Sequence, residues 1–197
     1  MNTITVIAKG PSAENAYEFI NRVGHTDIAT INDAATLILA TQIDYAFFTH
    51  TGFLPKMQPH ASRIQSYVCP DLQTHERKDP PDWIAAKLIQ YPDRYCAGST
   101  EDLQQRIIDG GICHHNTTNG ALHWLAKCGG YRRIRVIGVD GGRQYADGVN
   151  VLSKTWHDVI SANEKTEDYL DIWRGVTLRL ADVLRNVYGT EIEFYEH

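Results

Sequence analysis

The sequence predicts an α/β fold, a three-layer sandwich in which a mostly parallel β-sheet lies between crossover helices. Three observations carry that expectation. Thr3–Ala8 (TITVIA) and Ile134–Val139 (IRVIGV) are nearly continuous apolar runs, as in strands buried on both faces. Short β-branched strands alternate with helical stripes from Thr3 to Val68, the β-α-β-α-β order that parallel pairing requires. Glycines stand where the helical stripes stop, at Gly24, Gly110-Gly111, Gly129-Gly130 and Gly189.

The elements follow in order. After the first strand, Lys9-Gly10-Pro11-Ser12 forms a loop. A helix then runs over Ala13–Val23, with Ala16, Phe19, Ile20 and Val23 on one side and Ser12 placed as its N-cap. Asp27–Ile31 is the second strand, and Asn32-Asp33 is placed to cap a helix over Ala34–Ala40. Tyr45–Thr49 and Ile64–Val68 are the third and fourth strands. The stretch from Cys69 to Ser99 holds Pro70, Pro80, Pro81 and Pro92, and only Trp83–Ile89 suggests a short helix. It reads as a lid-like insertion within a single domain of 197 residues, too short for a core of its own. Glu101–Asp109 is helical with Thr100 as cap, and Asn116–Lys127 is an apolar helix. A long helix over about Asn163–Tyr188 carries Leu170, Trp173, Val176, Leu180 and Leu184 on one side. Glu191–Tyr195 closes the chain as an edge strand. Together these make a Rossmann-like sandwich.

Composition narrows the function. With 43% hydrophobic and 22% charged residues the chain is an ordinary globular protein rather than a disordered one. A net charge of −5 gives no global field for nucleic acid or anionic membrane, and Arg132, Arg133 and Arg135 form the one basic cluster. No run approaches the ~18 apolar residues of a membrane span. The N-terminal residues show no signal-peptide pattern, and the four scattered cysteines fit reduced thiols, so a cytoplasmic protein is expected. Self-association is compatible with this composition.

In a parallel sheet, ligands sit outside the carboxyl ends of the strands. The polar residues there are Gly10-Pro11-Ser12, Asn32-Asp33, His50-Thr51-Gly52 and Asp140-Gly141-Gly142, with Thr117-Thr118-Asn119-Gly120 opening a helix. Gly10 permits close backbone approach, and the N-terminus of the helix after it offers amides and a positive dipole end to an anion. The same residues read equally as capped turns. Asp140, at a buried strand end, needs a partner; ribose recognition or orientation of a base would supply one. His157 and His50 are candidate general bases, because imidazole titrates near neutrality. Arg143 could clamp a phosphate. Cys113, His114, His115 and His123 cluster in sequence, but match neither HExxH nor a zinc-ribbon spacing, so no metal site is expected.

Taken in order, these motifs resemble a known family. The strand followed by Gly10-Pro11-Ser12 is similar to the opening of bacterial sialyltransferases of glycosyltransferase family 42. It also resembles a related group that includes flagellin-glycosylation accessory proteins and the archaeal 6-hydroxymethylpterin diphosphokinase. The later block, Thr118-Asn119-Gly120-Ala121 through Gly129-Gly130-Tyr131 to Ile134–Asp140, resembles their T-(S)-G helix and I-x-x-x-G-x-D strand. The resemblance implies that Gly10, Pro11, Ser12, Asn32, Thr118, Asn119, Gly120 and Asp140 face a nucleotide. It departs at Lys9, where asparagine is common, at Asn119 for serine, and at Thr49-His50 for an asparagine-bearing loop. His157 also lies upstream of the family's histidine base.

The expected function is therefore a transferase that uses a nucleotide-activated sugar, of the CMP type, to modify an acceptor hydroxyl. It would need no cofactor and would bind a nucleotide-derived small molecule. Two alternatives stay open. One is a Mg-dependent pyrophosphoryl transferase using Asp33, Asp140 and Asp147, and the other is a non-catalytic module that binds a nucleotide ligand.

Overall fold

The computed structural model of the chain describes residues 2–39, 41–95, 99–114, 116–140, 146 and 166–195. Its centre is a seven-stranded sheet in the order β5-β4-β3-β2-β1-β8-β9. The strands are β1 (Thr3–Ile7), β2 (Asp27–Ile31), β3 (Ile43–Phe47), β4 (Ile64–Pro70), β5 (Leu88–Tyr91), β8 (Arg133–Ile137) and β9 (Glu191–Tyr195). Every pairing in it is parallel. Two short strands, β6 (Asp93–Tyr95) and β7 (Ile112–His114), pair in parallel apart from it.

Alternation along the strands divides the interior into two layers. Ile4, Val6, Ala29, Ile31, Phe47, Val68 and Val136 face one side. There they meet α5 (Thr100–Ile108), α6 (Thr117–Lys127) and α7 (Thr166–Tyr188) through Leu103, Leu122, Leu125, Leu180 and Leu184. Ile7, Ile28, Ala46, Tyr67 and Ile137 face the other side. They meet α1 (Ala16–Val23), a 3-10 turn over Asn32–Leu37 and α2 (Leu54–Met57) through Phe19, Ala34, Leu54 and Met57. Layers of this kind on both faces are why the central strands read as unbroken apolar runs. Val176, Leu180 and Leu184 of the expected α7 stripe are all buried.

Several local expectations are corrected. The segment over Ala34–Ala40 is not an α-helix; a 3-10 turn ends at Leu37, and Ile38 and Leu39 follow it without helical structure. Arg63 fixes the end of that turn by donating to the carbonyls of Ala35, Ile38 and Thr41. Asn32 and Asp33 do not cap it, because their side chains go elsewhere. Within Trp83–Ile89 the helix is confined to α4 (Asp82–Ala85), and Leu88 and Ile89 already belong to β5, which extends the sheet beside β4. Ile89 and Tyr91 favour a strand, and pairing with β4 decides it over the helix expected there. The cap of α5 is Ser99 rather than Thr100, its hydroxyl accepting from the Asp102 amide. A short turn, α3 (Leu72–His75), follows β4 and leads into Glu76.

The chain reverses direction through the sheet between β1 and β8. Strands β1 to β5 step one way, and β8 and β9 step the other. Gly138, immediately after β8, has φ +88 and presses against β1, where an added Cβ would lie 2.8 Å from the carbonyl carbon of Ala8. Gly138→Ala should therefore destabilise the fold by about 2–3 kcal/mol, from the left-handed backbone plus the collision. A urea midpoint unchanged from wild type would contradict this placement.

Candidate functional site

At the switch between β1 and β8 the two strand ends are tied together. The Gly10 amide donates to the Gly138 carbonyl at 2.8 Å. The Gly138 amide donates to Ser12 Oγ at 2.8 Å, and the Ser12 amide donates to Asp140 Oδ2 at 2.8 Å. Ser12 is thus not an N-cap of α1; its hydroxyl serves β8 instead. Gly10 is required here, since a Cβ would meet the Asp140 carboxylate and lie 2.8 Å from the Gly138 carbonyl. Asp140 has the partner that a carboxylate at this depth needs. The amide that looked ready for an external anion is held by an internal one.

On the other flank of the same loop, Lys9 is buried and its Nζ lies 2.9 Å from Asp33 Oδ1. Asp33 has no exposed surface, and Lys56 approaches its other oxygen at 3.5 Å. Lys9 also sits over the Phe53 ring at 4.6 Å. Burial pushes the Lys9 ammonium below its ordinary pKa, against the opposing pull of Asp33. The departure at position 9 therefore has a structural answer: the lysine is anchored to Asp33.

Between these loops and α6 lies a chain of polar side chains. Asn32, with φ 54, is one of two described non-glycine residues in the left-handed region, a conformation asparagine tolerates better than most. Its Oδ1 faces Thr117 Oγ1 at 3.4 Å, and Thr117 Oγ1 lies 2.8 Å from Thr49 Oγ1. Residues from the ends of β2 and β3 and the start of α6 thus meet. The sequence pointed to Thr118, Asn119 and Gly120, but the side chain that reaches Asn32 is that of Thr117. Thr118 is half-buried beside it. Asn119 turns to α7, donating to Thr177 Oγ1 at 2.9 Å, and Gly120 is buried in the first turn. Asn116 caps α6 through the Asn119 amide. The amides of Thr117 and Thr118 begin the helix outside its own hydrogen-bond ladder.

His50 follows Thr49 directly. Its Nδ1 is 2.9 Å from Oε1 of Glu76, a residue the sequence reading passed over because it lies in the proline-rich stretch. The other Glu76 oxygen accepts from the Thr51 amide at 3.1 Å and the Thr51 hydroxyl at 2.7 Å. Burial alone would raise the Glu76 pKa, but the Thr51 and His50 hydrogen bonds and the Lys78 charge outweigh it and hold the carboxyl below its ordinary value. The imidazole is 41% exposed while the carboxylate is 12% exposed, so the pair presents the histidine outward.

The remaining candidates fall elsewhere. His157, Arg143, Asp147, Gly141, Gly142, Cys96 and His115 lie outside the described residues. His123 is buried between α6 and α7, where burial and then Lys127 push its imidazole down to about 3, so it is neutral. Two members of the arginine cluster are paired with carboxylates, Arg133 and Arg135 with Glu191 and Glu193 along β9, and Arg132 donates to the Tyr188 carbonyl. Asp33 and Asp140 leave strands two positions apart, with their partners on opposite flanks of the β1 loop. Among the described residues no three His, Cys, Asp or Glu side chains stand together as a metal site. No described helix is long and apolar enough to cross a membrane.

Fold and site define a doubly wound α/β protein with its polar edge at the switch point. The architecture is sialyltransferase-like. The chain is similar to the sialyltransferase CST-II in complex with trisaccharide acceptor and CMP, with a TM-score of 0.56 and 10% identity, over 98% of this chain and 80% of that one. A mutant of the α-2,3/8-sialyltransferase CstII matches over the same shares, with a TM-score of 0.50 and 10% identity. No family model matches the sequence. No curated protein matches it either.

Two predictions follow from the charges at the site. Lys9→Met removes the nearer of the two lysines that face Asp33 and should cost about 3 kcal/mol, most of it recovered in Lys9→Met/Asp33→Asn. Additive losses in denaturant melts would show that the two do not act as a pair. Glu76 has a folded pKa below its unfolded value of 4.5, so its contribution to stability is present above pH 4.5 and lost as pH falls through the lower folded value. Wild type should be more stable than Glu76→Gln near neutrality, and the two should converge in acid. Parallel stability curves from pH 7 to pH 3 would refute this.

Proposed function

We propose that the chain is a glycosyltransferase-like transferase that takes a nucleotide-activated sugar, of the CMP type, and modifies an acceptor hydroxyl. The observation that carries this reading is the meeting of Asn32, Thr49 and Thr117 at the carboxyl edge of the sheet, beside the β1–β8 switch. It supports the reading because a nucleotide offers what such a cluster recognises. Ribose and base edges exchange hydrogen bonds with amide and hydroxyl groups, and phosphate suits the first amides of α6. Asp140 already holds the Ser12 amide, so the phosphate is assigned to α6 rather than to the β1 turn. The resemblance to a structure of a sialyltransferase holding CMP and an acceptor points the same way. In the reaction, helix amides and hydroxyls stabilise the departing phosphate, and a base receives the acceptor's proton.

A thermal-shift panel of nucleotides and nucleotide sugars, with and without Mg²⁺, tests the reading. At 100 times its Kd a ligand adds about 2.7 kcal/mol of apparent stability, enough for a clear shift. CMP and a CMP-sugar should raise the melting temperature, and Thr117→Val or Asn32→Ala should weaken that binding about tenfold. Mass spectrometry should then find CMP released slowly from the CMP-sugar. Turnover only with ATP and Mg²⁺ would favour the diphosphokinase chemistry. A ligand bound but returned intact would favour a binding module, and no shift with any nucleotide would remove the shared premise.

A further inference from the structure

We propose that His50 is the general base of this transferase and that Glu76 is its positioning residue, fixing the imidazole with Nδ1–H toward the carboxylate and Nε2 as the atom that receives the acceptor's proton. This rests on the transferase reading above and adds the identity and orientation of its base.

The geometry favours this role over that of a simple ion pair. Glu76 is half-buried in a run whose next three residues, Arg77, Lys78 and Asp79, are exposed. Both of its oxygens are engaged, Oε1 by His50 and Oε2 twice by Thr51, so the carboxylate is fixed rather than free to swing. An ionised carboxylate can only accept, and therefore His50 Nδ1 must be the donor. In a neutral imidazole the basic lone pair then belongs to Nε2. Lys78 Nζ, 3.7 Å from Glu76, already supplies a positive charge to this carboxylate, so its ionisation does not require an imidazolium.

A left-handed turn at the end of α3 follows Glu76 directly. Arg77, immediately after Glu76, is the second of the two described non-glycine residues with positive φ, at 54. The first is Asn32, in the polar cluster. A left-handed arginine costs on the order of 1 kcal/mol. Here it lets the Lys78 amide return to the Leu72 carbonyl, which also accepts from the Glu76 amide, so the end of α3 is closed around Glu76. His50 itself is extended, at φ −127 and ψ 132, and follows Thr49, which contacts Thr117. The base is thus one residue removed from the groups assigned to the nucleotide.

The step balances without any further reactant. The acceptor O–H bond breaks, its proton passes to His50 Nε2, and the oxygen forms a bond to the anomeric carbon. The bond from that carbon to the phosphate oxygen breaks, and its electron pair leaves with CMP. Water can replace the acceptor, which gives slow hydrolysis of the donor.

The test uses the full chain, with CMP-sialic acid as donor and water as acceptor. Nitrogen-15 spectra of histidine-labelled protein should show His50 as the Nδ1–H tautomer in wild type, with that signature lost in Glu76→Ala. The kcat for hydrolysis should fall at least tenfold in Glu76→Gln and Glu76→Ala, while the KM and the CMP-induced thermal shift stay within twofold. His50→Ala should fall at least as far, and His50→Ala/Glu76→Ala no further than His50→Ala alone, because Glu76 acts through the ring. A wild-type Nε2–H tautomer overturns the proposal. So does a kcat in Glu76→Gln or His50→Ala within twofold of wild type, or a double variant that loses activity additively. Failure of wild type to bind CMP or hydrolyse the donor would sink the transferase reading and the base with it. Normal binding and hydrolysis with indifferent Glu76 variants would sink the dyad alone.

Discussion

Two parallel strands that sit side by side, with their following connections diverging, leave a crevice at their carboxyl ends. Here the crevice between β1 and β8 is laced by three hydrogen bonds among Gly10, Ser12, Gly138 and Asp140. Each bond constrains the next. Ser12 can receive the Gly138 amide only if the β1 loop is tight, and the loop is tight only because position 10 lacks a Cβ. Asp140 can reach the Ser12 amide only because β8 ends at a glycine with positive φ. The spacing of every other strand-end loop is measured from this lock, since β2 to β5 are built outward from β1.

The lock also decides where charge can go. Asp140 and Asp33 stand on opposite flanks of the β1 loop, one holding an amide and the other a buried ammonium. A buried carboxylate without a partner would cost several kcal/mol, so Asp33 is a fixed feature, while the half-buried Asp140 is occupied by the Ser12 amide. This leaves neutral hydrogen-bonding groups, Asn32, Thr49 and Thr117, as the adaptable part of the edge. An edge of that kind discriminates by hydrogen-bond pattern more than by net charge.

The parallel sheet was legible in the sequence because burial on both faces writes itself as nearly continuous apolar runs at Thr3–Ala8 and Ile134–Val139. The glycine turns were legible for the same local reason. What escaped notice depends on contacts distant in sequence. β5 at Leu88–Tyr91 holds strand-favouring Ile89 and Tyr91, but it is the edge offered by β4 that separates it from the end of a helix. Thr117, rather than Thr118, meets Asn32 because helix phase at α6 is set by Asn116, and a one-residue difference in phase turns a side chain through about 100°. Glu76 carried no signal of its own. Only the pairing of β3 with β4 brings the loop of His50 against the turn after α3. A carboxylate in a proline- and charge-rich stretch looks like solvated surface until its partner is known.

The loop Thr49-His50-Thr51 shows how one short segment can join recognition to chemistry. Thr49 is buried toward α6 and shares a hydrogen bond with Thr117. Extended backbone at His50 sends successive side chains in different directions, so the imidazole leaves the cluster that Thr49 enters. Thr51 then closes on Glu76 through both its amide and its hydroxyl. The segment is gripped at both ends, by α6 through the first threonine and by the turn after α3 through the second. A ligand that orders Thr117 would therefore act on the position of the histidine through only one intervening residue. A shift of the turn carrying Glu76 would be felt at Thr49 by the same short path. The ring at its centre, tied to Glu76 and 41% exposed, is where a proton would have to be received.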